Sequence, residues 1–188
     1  MKLTLILGTM FSGKSAYGIE HYGDYTWYVP EFTYRGYLTR DADLNSKIMT
    51  ENNRVNFFQD FLPPLHDKMV IDEGQFLNDV NIDNIINCNE DYHIVIIALN
   101  SKGYVRGNHD EWQQVSNLIS HASELVFLKA SCSVEGCEET AVTHLKLPSE
   151  AYIGSDQYKV LCHLCLAEIR KKEEELLLKL VGDLNFKD

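Results

Sequence analysis

Three groups of residues in this chain have the types and spacing to do chemistry. The first, Gly8-Thr9-Met10-Phe11-Ser12-Gly13-Lys14-Ser15, fits G-x-x-x-x-G-K-[ST] directly behind the apolar run Leu3-Thr4-Leu5-Ile6-Leu7. Glycines in such a loop let the backbone turn tightly, so its N–H groups face phosphate oxygens at a helix N-terminus. Lys14 then reaches the β- and γ-phosphates, and the Ser15 hydroxyl completes a Mg²⁺ shell. Gly8 to Ser15 is therefore expected to bind a nucleoside triphosphate.

The second group is Val70-Ile71-Asp72-Glu73, an apolar run ending in two carboxylates and followed by Gly74-Gln75-Phe76. A carboxylate at a strand end beside a phosphate loop supports Mg²⁺, usually through water, and Asp72 is the candidate. Glu73 is the candidate general base on a hydroxyl or water, and Gln75 is grouped with the nucleotide-binding residues. The third group is Cys132, Cys137, Cys162 and Cys165, spaced C-x₄-C and C-x₂-C. Four thiolates close a tetrahedral Zn²⁺ and leave no open position, so a structural metal is expected. His144 and His163 lie near enough to substitute as ligands, but each is read as a surface histidine. Cys88 stands apart from the cluster.

These groups need elements to hold them. Apolar runs predict strands over Leu3–Leu7, Thr26–Val29, Met69–Ile71, His93–Leu99 and Glu124–Leu128. Helices are expected over Lys14–Tyr22, Val80–Ile86 and Asp110–Ser120, the last with Trp112, Val115, Leu118 and Ile119 on one face. A final helix, Leu166–Leu180, would gather Leu166, Ile169, Leu176, Leu177 and Leu180 on one side. The near-continuous apolar runs suit a parallel sheet buried on both faces. The expected fold is α/β: a P-loop NTPase-type parallel sheet with flanking helices and a small C-terminal zinc-binding domain. The expected divisions are 1–129 for nucleotide binding, 130–166 for the zinc knuckles and their loop, and 167–188 for the terminal helix.

Composition narrows the partners. Acidic residues outnumber basic ones, 28 to 17, for a formal charge of −11. That balance is poor for gripping a nucleic-acid backbone, whose affinity comes from Lys and Arg. Apolar runs are too short to span a bilayer, and no signal-peptide pattern opens the chain. Cysteines gathered in knuckles fit a reducing compartment, so a cytoplasmic protein is expected.

Together the motifs resemble the type II, zinc-containing thymidine kinases of animals, bacteria, poxviruses and large phages. The phosphate loop follows that family's G-x-M-F-S-G-K-[ST], and Ile71 to Phe76 matches I-D-E-[AG]-Q-F. Ile97-Ala98-Leu99-Asn100 and Tyr104-Val105-Arg106-Gly107 are similar to its [AG]-L-D and F-R-G stretch. Ile153-Gly154-Ser155-Asp156-Gln157-Tyr158 before Cys162 is similar to its I-G-G-x-[DE]-x-Y segment. The chain departs from the family at Leu38, which replaces the aspartate of D-T-R, and at Asn100, which replaces an aspartate. The wider first knuckle is a third departure.

The resemblance implies transfer of the γ-phosphoryl group of ATP to the 5′-hydroxyl of thymidine, with Mg²⁺ and structural Zn²⁺. It implies Glu73 as the base, Lys14 and Arg40 as charge-stabilising catalytic groups, and Ser15 with Asp72 around Mg²⁺. A lasso-like loop, Leu147 to Tyr158, would close over the nucleoside through Tyr152, Ile153, Gly154 and Tyr158. Phe76, Leu99 and Tyr104 would give apolar contact, with Met10 and Thr143 near the 5-methyl group. A homotetramer inhibited by dTTP is also implied. The alternative is a P-loop ATPase or switch protein whose knuckles hold a macromolecular partner. A nucleotide-binding relic without catalysis is a third reading, opposed by the presence of Lys14, Ser15, Asp72 and Glu73.

Overall fold

Val, Ile and Leu crowd the runs that were expected to be strands, and those runs form one sheet. A computed structural model describes residues 1–50, 55–100, 110–146 and 158–184. The strands are β1 (Lys2–Gly8), β2 (Thr26–Pro30), β3 (Val55–Phe58), β4 (Lys68–Ile71), β5 (His93–Leu99) and β6 (Glu124–Leu128). All pairings are parallel, in the order β3-β2-β4-β5-β1-β6. Helices α1 (Lys14–Tyr22), α2 (Ala42–Thr50), α3 (Asp79–Ile86) and α4 (Asp110–Ile119) connect them.

Alternation along each strand sorts the core into two layers. Leu3, Leu5 and Leu7 join Ile94, Ile96, Met69 and Ile71 against Ile82 and Ile85 of α3 and Val115 and Leu118 of α4. Ile6, Trp27, Val70, Val95 and Ile97 face the other way, onto Ile19 of α1 and Ile48 of α2. Burial on both faces is what parallel strands require. Five strands and three helices lie where the sequence placed them, within one or two residues at their ends. The sequence did not anticipate α2 or the edge strand β3. The opposite edge, β6, leaves Leu125 and Phe127 exposed.

A second, two-stranded antiparallel sheet pairs β7 (Thr143–Lys146) with β8 (Tyr158–Leu161), in the register Thr143 to Leu161 and Lys146 to Tyr158. The last helix, α5 (His163–Leu184), starts three residues earlier than expected, which puts Cys165 in its first turn. Leu166 and Ile169 pack against the cysteine cluster, whereas Leu176 and Leu178 are exposed. Because the six strands of the large sheet are parallel, their carboxyl ends share one rim. The phosphate loop leaves β1 there, the acidic pair leaves β4, and Leu99-Asn100 leaves β5. Ligands of open parallel sheets bind at such a rim.

Candidate active site and metal centre

The phosphate loop is shaped by two residues at positive φ, Phe11 at 64° and Gly13 at 80°. Glycine carries no penalty there, while Phe11 holds a conformation that L side chains rarely adopt. Gly8 has a different constraint: a Cβ there would stand 2.3 Å from Ser12 Oγ and 2.7 Å from Leu128 O, so the loop closes only over a glycine. Lys14 is half-buried in the first turn of α1 and donates from Nζ to Thr9 O at 2.9 Å. Burial lowers its pKa, while the charges of Glu73 and Asp72 pull it the other way.

The acidic pair meets this loop across the neighbouring strand. Ser15 Oγ donates to Asp72 Oδ2 at 3.0 Å, and the Glu73 N–H donates to Asp72 Oδ1 at 2.9 Å. Asp72 is buried, and that desolvation, helped by the charge of Glu73, raises its pKa to about 7 against the two hydrogen bonds and Lys14. Glu73 has φ 55° and ψ 42°, the left-handed region, and opens the 3₁₀ turn Gly74–Phe76. Such a conformation costs of order 1–3 kcal/mol and persists only where surroundings over-determine it. Here Gln75, itself buried, donates from Nε2 to Glu73 Oε2 and accepts the Leu99 N–H at Oε1 across 3.2 Å.

Among the described residues, the buried side-chain N and O atoms that lack a hydrogen-bond partner are Thr9 Oγ1, Ser12 Oγ, Asn100 Oδ1 and His144 Nδ1. Thr9 and Ser12 belong to the phosphate loop, and the Asn100 N–H donates to Gly8 O at 3.2 Å. Buried polar atoms are almost always satisfied, so unpaired groups gathered at the loop mark a place built for a polar ligand. The donor set is also hard-oxygen chemistry: the Ser15 hydroxyl beside a buried carboxylate suits Mg²⁺.

Aromatic side chains line the same rim. Phe76 meets Phe32, in the 3₁₀ turn after β2, edge to face with ring centroids 5.0 Å apart. Phe32 is 52% exposed and is not singled out by the sequence, because it is one of several aromatics between Tyr25 and Tyr37 and no spacing marks it as the one that meets Phe76. Arg40 lies with its guanidinium carbon 4.7 Å from the centroid of the Phe11 ring, which brings it to the phosphate loop despite the loss of the aspartate at position 38. The Leu38 N–H is held instead by Asn45 Oδ1 at 2.8 Å.

The small sheet connects this rim to the cysteines. Met10 packs against Ala130, Ala141 and Val160, so the phosphate loop and the cysteine-bearing segment share an apolar contact. His144, expected at the surface, is buried: β7 turns it inward, edge to face with Tyr158 at 5.6 Å. Burial, and then the charge of Lys14, lower its pKa to about 4, so the imidazole is neutral. Thr143, opposite Leu161 on β7, and Tyr158, opposite Lys146 on β8, are both half-buried. Tyr104, Tyr152, Ile153, Gly154 and the loop as far as Gln157 lie outside the described residues.

Cys132, Cys137, Cys162 and Cys165 bring their Sγ atoms within 4.8 Å of one another. A tetrahedral site with metal–sulfur bonds of about 2.3 Å has sulfurs about 3.8 Å apart. Cys137 to Cys162 is 3.8 Å and Cys165 to Cys137 is 3.7 Å, so the four thiols fit Zn²⁺. Burial pushes the Cys132 thiol up, but N–H donors from Val134 and Cys162 together with the thiols of Cys137 and Cys165 outweigh it and draw it down to about 7. Neither His144 nor His163 joins the cluster. Four thiolates would close the coordination shell of such an ion, the donor set of a structural zinc site.

No described helix is long and apolar enough to cross a membrane. Comparison with curated proteins gave no match. A family model described as thymidine kinase matches residues 1–166. The match takes in the phosphate loop, the acidic pair and all four cysteines, and the chain belongs to the thymidine kinase family, whose members are nucleoside-phosphorylating enzymes.

Proposed function

We propose that this kinase transfers the γ-phosphoryl group of ATP to the 5′-hydroxyl of thymidine, giving thymidine monophosphate for DNA synthesis. The observation that carries the proposal is the 3.0 Å bond from Ser15 to Asp72, which joins the phosphate loop to the acidic pair on one rim. The loop N–H groups and Lys14 hold the β- and γ-phosphates, Lys14 exchanging Thr9 O for phosphate oxygen. Ser15 and Asp72 would hold Mg²⁺, which would supply neutralising charge to the triphosphate. Glu73 takes the 5′-hydroxyl proton as that oxygen bonds to the γ-phosphorus. The bond from phosphorus to the β,γ-bridging oxygen breaks, and ADP leaves. Arg40 steadies charge on the transferred group. Alignment and charge neutralisation carry most of such a reaction.

Phe76, Leu99, Met10, Thr143 and Tyr158 form the nucleoside side of the site, completed by Tyr104, Tyr152, Ile153 and Gly154. Residues 130–166 act as one zinc-held unit that closes over the base. The contact between Met10 and Ala130, Ala141 and Val160 supports this arrangement. Assembly as a homotetramer, inhibition by dTTP and residence in the cytoplasm follow from the family resemblance.

The test is transfer from γ-labelled ATP, with Mg²⁺, to a panel of deoxynucleosides beside a control without nucleoside. Thymidine monophosphate formed well above other products is the expected result. ATP loss that ignores the nucleoside would move the chain to the ATPase class, leaving the knuckles to hold a partner.

A further inference from the structure

Gln75 does not behave as a nucleotide contact. Its side chain is buried, and both ends of its amide are committed to the protein. The orientation of that amide is set by chemistry. The Leu99 N–H is a donor, so the atom facing it must be Oε1, and Nε2 is thereby turned toward the Glu73 carboxylate. The reverse orientation would set an N–H against the amide NH₂ and the carboxylate against the amide oxygen, leaving four groups unsatisfied. Leu99 is the last residue of β5, the strand between β4 and β1. The anchor is thus the backbone of a central strand, which is rigid.

We propose that Gln75 is a positioning residue that acts through Glu73. It ties the Glu73 carboxylate to the end of β5 through Oε2 and leaves Oε1 to meet the nucleoside hydroxyl. The inference rests on the reading of Glu73 as the base. A free glutamate following a left-handed backbone turn would sample several rotamers, only some of which face the γ-phosphate. Glu73 stands two residues beyond β4 in a left-handed conformation, and the bond from Gln75 restricts its carboxylate. A group held in this way is pre-organised, and its loss is felt at the chemical step rather than in substrate binding.

The experiment is a double-mutant cycle on the full chain, reading kcat and KM for ATP and thymidine. Gln75→Leu removes both hydrogen bonds. Gln75→Glu keeps an oxygen for the Leu99 N–H but sets a second carboxylate against Glu73, where the two cannot both ionise without cost, and a thermal melt shows that the variant is folded before its kinetics are read. Each should lower kcat by about 10- to 100-fold while both KM values stay within roughly threefold. Glu73→Gln alone should lower kcat by at least about 100-fold, and adding either Gln75 change to it should cost no more than about another twofold.

Gln75→Glu with the kcat of the unaltered protein would overturn the inference, as would losses that multiply in the double variants. Multiplying losses would mean that Gln75 acts on something other than Glu73. Glu73→Gln at near-full activity would sink the base assignment itself, and Gln75 with it. The two failures are therefore told apart by the single Glu73 variant. If Gln75→Leu does not fold, the cycle built on Gln75→Glu decides alone.

Discussion

Ser15 and Asp72 stand 57 residues apart in sequence and share a 3.0 Å hydrogen bond over the end of β5. The bond joins the helix after β1 to the end of β4, two strands that do not touch in the sheet. It exists because α1 starts with Lys14 and Ser15 on its first turn, while β4 delivers Asp72 to the same rim. Asp72 is buried enough that its charge is costly, and the hydroxyl recovers part of that cost. A carboxylate so placed would gain from a bound cation, as the proposed role of Asp72 requires.

That balance makes stability depend on pH. Burial raises the pKa of Asp72 from the ordinary carboxylate range to about 7. A carboxyl raised by folding binds its proton more tightly in the native state than in the unfolded one. Its stabilising contribution is thus full below the ordinary range and is lost as pH rises toward about 7. Asp72→Asn removes this loss. Without nucleotide or Mg²⁺, its thermal midpoint should fall less between pH 5 and pH 8 than that of the unaltered chain. Parallel pH curves for the two proteins would show that Asp72 titrates as an ordinary surface carboxylate. Turnover of Asp72→Asn should be down by at least about 100-fold, from loss of the cation site.

Lys14 offers a second test. Its Nζ rests on Thr9 O within the loop, a partner it can exchange for phosphate at little cost. Lys14→Met keeps the apolar stem but removes the charge. The expected result is a drop of about 100-fold or more in kcat/KM for ATP, with the thermal midpoint unchanged or raised. The rise follows because burial of the ammonium is unfavourable, as its lowered pKa shows. A midpoint that falls sharply would mean that the bond to Thr9 O holds the loop together.

Much of this was legible in the sequence, and the rest had physical reasons not to be. Parallel strands buried on both faces write themselves as runs such as His93–Leu99, and the helix after the loop is announced by Lys14-Ser15 and ended by Gly23. The edge strand β3 reads Val-Asn-Phe-Phe with Asn56 and Phe57 exposed, a pattern too short to separate from a loop. β7 and β8 have four residues each and gain their stability from one another and from the cysteine segment. His144 shows the limit: a histidine between Thr143 and Leu145 becomes buried only because the hairpin turns it inward. The cysteine spacing predicted the metal cluster, and the sulfur distances agree. No sequence pattern reveals that Gln75 spends its amide on Glu73 and Leu99.

The cysteine cluster should respond to metal removal as a structural site. One Zn²⁺ per chain is expected, measured by elemental analysis of the purified protein. Cys162→Ser should lose the metal, lower the thermal midpoint on the order of 10 °C, and raise the KM for nucleoside. Cys88 lies outside the cluster, partly buried against the main core, so Cys88→Ser should keep the metal and lower the midpoint by less than Cys162→Ser does. Full zinc content in Cys162→Ser with unchanged kinetics would refute a shared design for metal and nucleoside loop. The link is physical: Cys162 directly follows β8, and Val160 of that strand packs with the segment that Met10 touches.

Arg40 lies over the face of Phe11 at the phosphate loop, and among the described residues no carboxylate forms an ion pair with it. The ring contact is worth about 0.5–1 kcal/mol at an exposed site, enough to bias the guanidinium but not to fix it. Arg40→Ala should lower kcat about 10- to 100-fold with little change in the KM for ATP, as expected for charge stabilisation that strengthens in the transition state. Phe11→Leu keeps an apolar side chain but removes the ring's negative face. Its kcat should fall only about two- to fivefold, the range that 0.5–1 kcal/mol allows. In the Arg40→Ala background the same change should do nothing more, since the ring would then have no cation to hold. Steady-state kinetics on the two single variants and the double variant settle the matter. If Phe11→Leu costs as much with Arg40 absent as with it present, Phe11 supports the loop itself through its left-handed backbone. Arg40 would then reach the triphosphate without help from the ring.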